Sequence, residues 1–188
     1  DAATLQAAVK RMAKKTTVLV DEAYIELSDD PAGNSCVPLI NAGHDVIVTR
    51  TFSKIYGMAG VRVGYSISSA ETAEKIRATA MSWSPSLSTA AAIGCYNDEA
   101  FLAMSRSKIQ EAREMVNMTV DTLGLTRLPS QTNFVYFKSG KEANGSYKHI
   151  PLIFLFIFCS RFVGLYISFL AGLRRRLHFY MQRPLQIR

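Results

Sequence analysis

The chain has 188 residues, 48% of them hydrophobic and 20% charged, with a formal net charge of +7. That balance suits a globular domain with a sizeable core and excludes an extended disordered chain. Residues 1–139 hold 14 Lys/Arg against 14 Asp/Glu, whereas residues 140–188 hold 8 against the single acid Glu142, so the body offers no basic surface for nucleic acid.

Cys36, Cys95 and Cys159 are too widely spaced for a metal or redox motif and read as thiols in a reducing compartment. His44, His149 and His178 are equally scattered, and no metal site is expected. No secretory leader pattern opens the chain. Its start at Asp1, without a methionine, reads as a cut from something longer.

In chain order, Ala2–Ala13 predicts a helix with Leu5, Ala8 or Val9, and Met12 on one face. Thr16–Val20 is a short apolar run, expected to be a strand buried on both faces of a parallel sheet. Ser28–Asn41, with Asp29-Asp30-Pro31 and Gly33-Asn34, reads as a loop. Asp45–Thr49 and Val61–Ser66 predict two further strands, and alternation with helices points to an α/β layered domain.

Ser69 is placed to cap a helix running to about Met81, which Trp83-Ser84-Pro85 breaks. Thr89–Tyr96 reads as helical. Asp98 then caps a long helix whose stripe (Phe101, Met104, Ile109, Ala112, Val116, Val120, Leu123) is a packing face, and Gly124 stops it. Asn133–Lys138 predicts one more strand. Past Ser139 the composition changes: Gly140–Lys148 is polar, Ile150–Leu173 is a phenylalanine-, leucine- and isoleucine-rich run broken by Arg161, and Arg174-Arg175-Arg176 follows. That run is long enough for a membrane span with a basic flank. A departure of the reading frame near Lys138 accounts for it equally well.

The segment Thr51-Phe52-Ser53-Lys54-Ile55-Tyr56-Gly57-Met58-Ala59-Gly60-Val61-Arg62-Val63-Gly64 carries the most chemistry. Lys54 lies beside the hydroxyls of Thr51 and Ser53, and Arg62 follows eight residues later among glycines. An amine can form a Schiff base with a carbonyl, while hydroxyls and a guanidinium suit a phosphate. Gly57, Gly60 and Gly64 would let the backbone turn closely around it. Upstream, Val18-Leu19-Val20-Asp21-Glu22-Ala23-Tyr24 is an apolar strand ending in an acid, with a tyrosine three residues on. Lys10, Lys14 and Lys15 read as a solvated helix end.

Together these segments resemble the cofactor site of class I/II aminotransferases that use pyridoxal 5'-phosphate (PLP), the aspartate aminotransferase superfamily of fold type I. The wording is most similar to histidinol-phosphate aminotransferases, and Leu128-Pro129-Ser130-Gln131-Thr132-Asn133-Phe134-Val135 resembles the opening of their small domain. The resemblance covers roughly residues 1–138. It implies that residues 1–125 are the C-terminal part of the PLP-binding large domain with its connecting helix. Residues 126–139 then start the small domain, and residues 140–188 are an unrelated basic and apolar tail.

The same resemblance implies roles for individual residues. Lys54 is the Schiff-base lysine and proton carrier, and Asp21 the partner of the pyridinium nitrogen, with Glu22 the weaker choice. Tyr24 hydrogen-bonds the cofactor's phenolic oxygen, and Thr51, Ser53 and Arg62 bind its phosphate. It further implies transfer of an amino group to 2-oxoglutarate in histidine biosynthesis, small-molecule donor and acceptor, a homodimer for the full-length family and a cytoplasmic setting. Two alternatives stay open. One is another class I/II aminotransferase or a related PLP decarboxylase; the other is a non-catalytic truncated product whose tail associates with membranes. The family's ring-stacking aromatic and its carboxylate- or phosphate-gripping arginine have no counterpart in this sequence.

Overall fold

The computed structural model describes residues 1–81, 85–138 and 152–156. They fall into two units, Asp1–Ser107 and Lys108–Arg188. In the first, helix α1 (Ala2–Met12) begins where the Asp1 carboxylate accepts from the Ala3 N–H at 2.8 Å and the Thr4 N–H at 3.4 Å. These contacts satisfy two of the donors a helix start leaves open. Only Val9 of the expected face is buried; Leu5 and Met12 stay exposed.

Three strands follow, in the order β1 (Val18–Asp21), β2 (Val46–Thr51) and β3 (Gly64–Ile67). β1 and β2 are parallel, with Asp21 opposite Thr49; β2 and β3 are antiparallel, with Arg50 opposite Tyr65 and Thr51 opposite Gly64. At Gly64 the strands approach so closely that a Cβ would lie 2.8 Å from the Arg50 carbonyl oxygen.

Alternation along a strand divides the sheet into two faces. Val18 and Val20 of β1, Val46 and Val48 of β2 and Ile67 of β3 pack with Val9, Cys36, Leu39 and Ile40 on one side. The other side carries Leu19 and Asp21. The expectation that β1 is buried on both faces fails at Leu19, which is 63% exposed because no described element covers that face.

Ser28–Asn41 is not a plain loop. After a 3-10 turn at Ile25–Leu27, helices α2 (Pro31–Asn34) and α3 (Val37–Asn41) each carry a proline in the first turn. A proline there loses no helical hydrogen bond and has its φ already set. The Gln6 amide donates to the carbonyls of Gly33 at 3.0 Å and Ser35 at 2.9 Å, tying α1 to this segment.

Helix α4 (Ala70–Thr79) starts at Ser69, whose hydroxyl accepts the Thr72 N–H at 3.3 Å. It ends two residues before Met81; Trp83 and Ser84 of the expected break lie outside the described residues. Helix α5 (Ser86–Tyr96) buries Ser88 and Ala92. Helix α6 (Glu99–Thr122) starts at Asp98, whose carboxylate accepts the Phe101 N–H at 2.9 Å. Beyond its end, Gly124 takes a left-handed φ of 66°, as expected of a stop.

In the second unit, Ala112, Val116 and Val120 of α6 pack against Val135 of β4 (Phe134–Lys138), with Leu125 and Phe137 alongside. Leu123 of the expected stripe is exposed, as is Met104 in the first unit. Strand β5 (Leu152–Phe156) pairs antiparallel with β4, Phe134 opposite Phe156. Five residues of the apolar run are therefore strand; the rest of Ile150–Leu173, with Arg161 and Arg174–Arg176, lies outside the described residues. Among the described residues, no helix is long and apolar enough to cross a membrane.

Candidate active site

Of the predicted residues, Asp21 and Thr51 end strands of the first unit's sheet, and Tyr24, Ser53, Lys54 and Arg62 lie on the turns that follow. Asp21 ends β1, its carboxylate exposed and accepting from the Ala23 N–H at 3.1 Å and the Thr49 hydroxyl at 3.4 Å. The C-terminal edge of parallel strands is where α/β sheets offer ligand-binding groups, because the loops that leave it are free to diverge. The chain then turns, and Tyr24 lies just ahead of the 3-10 turn, half-buried.

Lys54 sits on a short loop between β2 and β3 whose neighbours are anchored. Phe52, Ile55 and Tyr56 are buried, the Met58 N–H donates to the Phe52 carbonyl at 3.0 Å, and the Ser105 hydroxyl donates to the Ile55 carbonyl at 2.8 Å. Gly57 has a φ of 68°, which lets the loop reverse just after Tyr56. The Lys54 side chain is thereby held at 4.8 Å from the centroid of the Tyr24 ring, within reach of a cation–π contact. Tyr24 and Lys54, 30 positions apart, thus meet.

Thr51 and Ser53 are also joined, since the Ser53 N–H donates to the Thr51 hydroxyl at 3.0 Å. Arg62 is placed differently. It ends a 3-10 turn, Ala59–Val61, in the left-handed region at φ 57° and ψ 55°, and its Nη1 donates to the Ala59 carbonyl at 2.9 Å. The guanidinium is exposed and folded onto its own turn. The Ser88 hydroxyl of α5 fixes that turn by donating to the Val61 carbonyl at 2.8 Å.

Beneath the open face lies a cluster that sequence reasoning missed. Glu22 is 6% exposed, and its carboxylate accepts from Arg50 Nη2 at 2.8 Å, Arg50 Nε at 3.1 Å, the Cys36 N–H at 2.6 Å and the Ser35 hydroxyl at 3.1 Å. Burial works against the Arg50 charge, yet hydrogen bonds to Glu22 and Tyr65 outweigh it and raise its pKa. The residues flank the predicted ones directly, Glu22 after Asp21 and Arg50 before Thr51. No local pattern links positions 28 apart in sequence, so only the β1–β2 register exposes the pair.

Around the lysine loop, Phe52 contacts the rings of Tyr56, Tyr65 and Tyr96 at centroid distances of 4.7, 5.8 and 6.2 Å. Burial first, then the nearby Glu26 carboxylate, pushes the Tyr56 hydroxyl up to about 12. Burial likewise raises Glu26 above its ordinary range. Among the described residues, no group of His, Cys, Asp and Glu could hold a metal ion.

The described contacts bring Lys54 to Tyr24, Ser53 to Thr51 and Thr49 to Asp21, while Arg62 stays on its own turn. The family described as aminotransferase class I and II matches residues 1–174, and the chain belongs to that family. The match continues past Ser139, where the composition changes. Histidinol-phosphate aminotransferase of Limosilactobacillus fermentum is 34% identical over 130 residues, which are 69% of this chain and 36% of that protein. The solved histidinol-phosphate aminotransferase from Sinorhizobium meliloti, in complex with pyridoxal-5'-phosphate, is 33% identical with a TM-score of 0.68. It aligns with 76% of this chain, which covers 39% of that one. The histidinol-phosphate aminotransferase from Clostridium acetobutylicum shares the fold, with a TM-score of 0.76 at 23% identity over 94% of this chain and 60% of that one. The α/β arrangement is thus part of a fold type I aminotransferase, and the chain spans little more than a third of the curated relative.

Proposed function

We propose that the chain carries the cofactor-lysine segment of a PLP-dependent aminotransferase of the histidinol-phosphate type. The observation that carries this reading is the meeting of Lys54 with Tyr24 at 4.8 Å, with Tyr24 three residues after the exposed Asp21 that ends β1. The donor set fits PLP: an amine for its aldehyde, a carboxylate for its ring nitrogen, a phenol for its phenolic oxygen, and hydroxyls with a guanidinium for its phosphate. When bound, PLP supplies an electron sink for the pair left when the substrate α-carbon loses its proton.

Each side chain then has a defined task. Lys54 Nζ would hold the cofactor's aldehyde carbon and, as a free amine, would carry the proton from the substrate α-carbon to that carbon. The Asp21 carboxylate keeps a proton on the facing ring nitrogen by its negative charge. The Tyr24 hydroxyl donates a hydrogen bond that stabilises an oxyanion. Thr51 and Ser53 hydroxyls and the Arg62 fork bind phosphate oxygens, Arg62 through N–H groups other than the one given to the Ala59 carbonyl. For the full-length protein the reading extends to 2-oxoglutarate as acceptor, a homodimer, histidine biosynthesis and a cytoplasmic setting.

The test is to add PLP to the purified chain, treat it with borohydride and map the label by mass spectrometry. Label fixed at Lys54, absent in Lys54→Ala and reduced in Asp21→Ala, is the expected result. Label on Lys54→Ala at an undiminished level overturns the assignment. Transamination of histidinol phosphate by the full-length protein then separates this branch from other class I/II enzymes.

A further inference from the structure

We infer that Glu22 and Arg50 form a positioning pair that sets the direction of Asp21 and Thr51, and through Thr51 the Ser53–Lys54 turn. The purpose given to those groups rests on the cofactor reading above; the placement itself does not.

Successive side chains of a strand point to opposite faces. Asp21 and Thr49 share the open face, where their side chains are in contact at 3.4 Å, and Thr51 lies two residues beyond Thr49 on the same face. Glu22 and Arg50, each one residue away, therefore point the other way, into the protein. The Glu22 N–H donates to the Thr49 carbonyl at 2.9 Å, so the strand ladder continues through the residue that anchors it. With Glu22 and Arg50 clamped below, the neighbouring side chains have one direction left.

The clamp is complete at both ends. Both Glu22 oxygens are used: Oε2 takes the two Arg50 N–H groups, and Oε1 takes the Cys36 N–H. The Ser35 hydroxyl reaches both oxygens at 3.1 Å and also receives Arg50 Nη2 at 3.1 Å. Arg50 in turn hydrogen-bonds Tyr65 across the β2–β3 register. One carboxylate and one guanidinium thus join the start of α3 to all three strands at the level of the candidate site. A buried ion pair is weak as a stabiliser against an apolar pair of the same size, but strong in fixing one geometry when every lone pair is matched.

The test uses the full chain with Glu22→Gln, with Arg50→Lys, and with the double change Glu22→Gln/Arg50→Gln, whose neutral amides leave no lone buried charge. Two quantities are read on each folded variant. One is amide hydrogen exchange at Ser53, whose N–H is held by the Thr51 hydroxyl, beside exchange at Val48 in the sheet core. The other is the PLP concentration that fixes half of Lys54 after borohydride. The expected result is exchange about tenfold faster at Ser53 with Val48 unchanged, and a half-labelling concentration about tenfold higher.

Equal acceleration at both amides, or none at Ser53, overturns the positioning role and leaves the pair a contributor to global stability. The double variant carries the same comparison if a single change prevents folding. Exchange needs no cofactor: an unaltered chain that takes up no PLP while the Ser53 effect is present counts against the cofactor reading and supports the pair. Unchanged Ser53 exchange with normal uptake does the reverse.

Discussion

Arg62 has a φ of 57°, the one non-glycine residue with positive φ among those described. A left-handed conformation costs an ordinary L-residue roughly 1–2 kcal/mol, and such costs gather at functional positions where surrounding structure holds them. Here the Ala59–Val61 turn and the Ser88 hydroxyl do the holding. Arg62→Gly should relieve the strain and raise stability by about 0.5–1 kcal/mol, while PLP uptake at Lys54 falls. Thermal melting and labelling on the same sample check this split. Full uptake by the glycine variant removes Arg62 from the phosphate site. Lys54, Tyr24 and Asp21 were legible because their spacing is local to two short segments. Arg62's bond to the Ala59 carbonyl of its own turn was not, because a side chain's resting partner is chosen by the loop it sits on.

At the scale of elements, helix starts were the most readable feature, because a cap is a short-range bond between near neighbours. Asp98 is the clearest case: its carboxylate holds the Phe101 N–H at the head of α6. Asp98→Ala should cost about 1 kcal/mol, read as a lower urea midpoint with unchanged slope. Asp98→Asn should lose little by comparison, since its amide oxygen accepts the same bond. The reading of Ser28–Asn41 as a loop failed for a related reason. Asp29-Asp30-Pro31 and Gly33-Asn34 read as turn signals, whereas Pro31 and Pro38 each occupy the first turn of a short helix. The direction of β3 was also beyond local reach. A parallel neighbour needs a long crossover, but β2 reaches β3 through the lysine loop and a single 3-10 turn, and the strand returns antiparallel.

For the whole molecule, pH dependence follows from Tyr56. Folding holds its hydroxyl protonated up to about 12, against 10.0 for an ordinary tyrosine. The unfolded chain therefore loses that proton first. The stability contributed is complete below pH 10 and is lost as pH rises to about 12. Circular-dichroism melts across that range should show the decline, and Tyr56→Phe should flatten it. A variant that declines as steeply as the unaltered chain places the effect elsewhere.

Local composition and spacing were enough to announce β1 to β4, the helix starts at Ser69 and Asp98, the lysine segment and the family, since caps, apolar runs and motifs are read within a few residues. Three features came from long-range contact alone. Leu19 is exposed because no described element covers its face of the sheet, Leu152–Phe156 is a strand because β4 offers it an edge, and Glu22 is clamped because register sets Arg50 beside it. A residue's neighbours across a sheet are fixed by the pairing of whole strands, and no window along the chain contains that pairing.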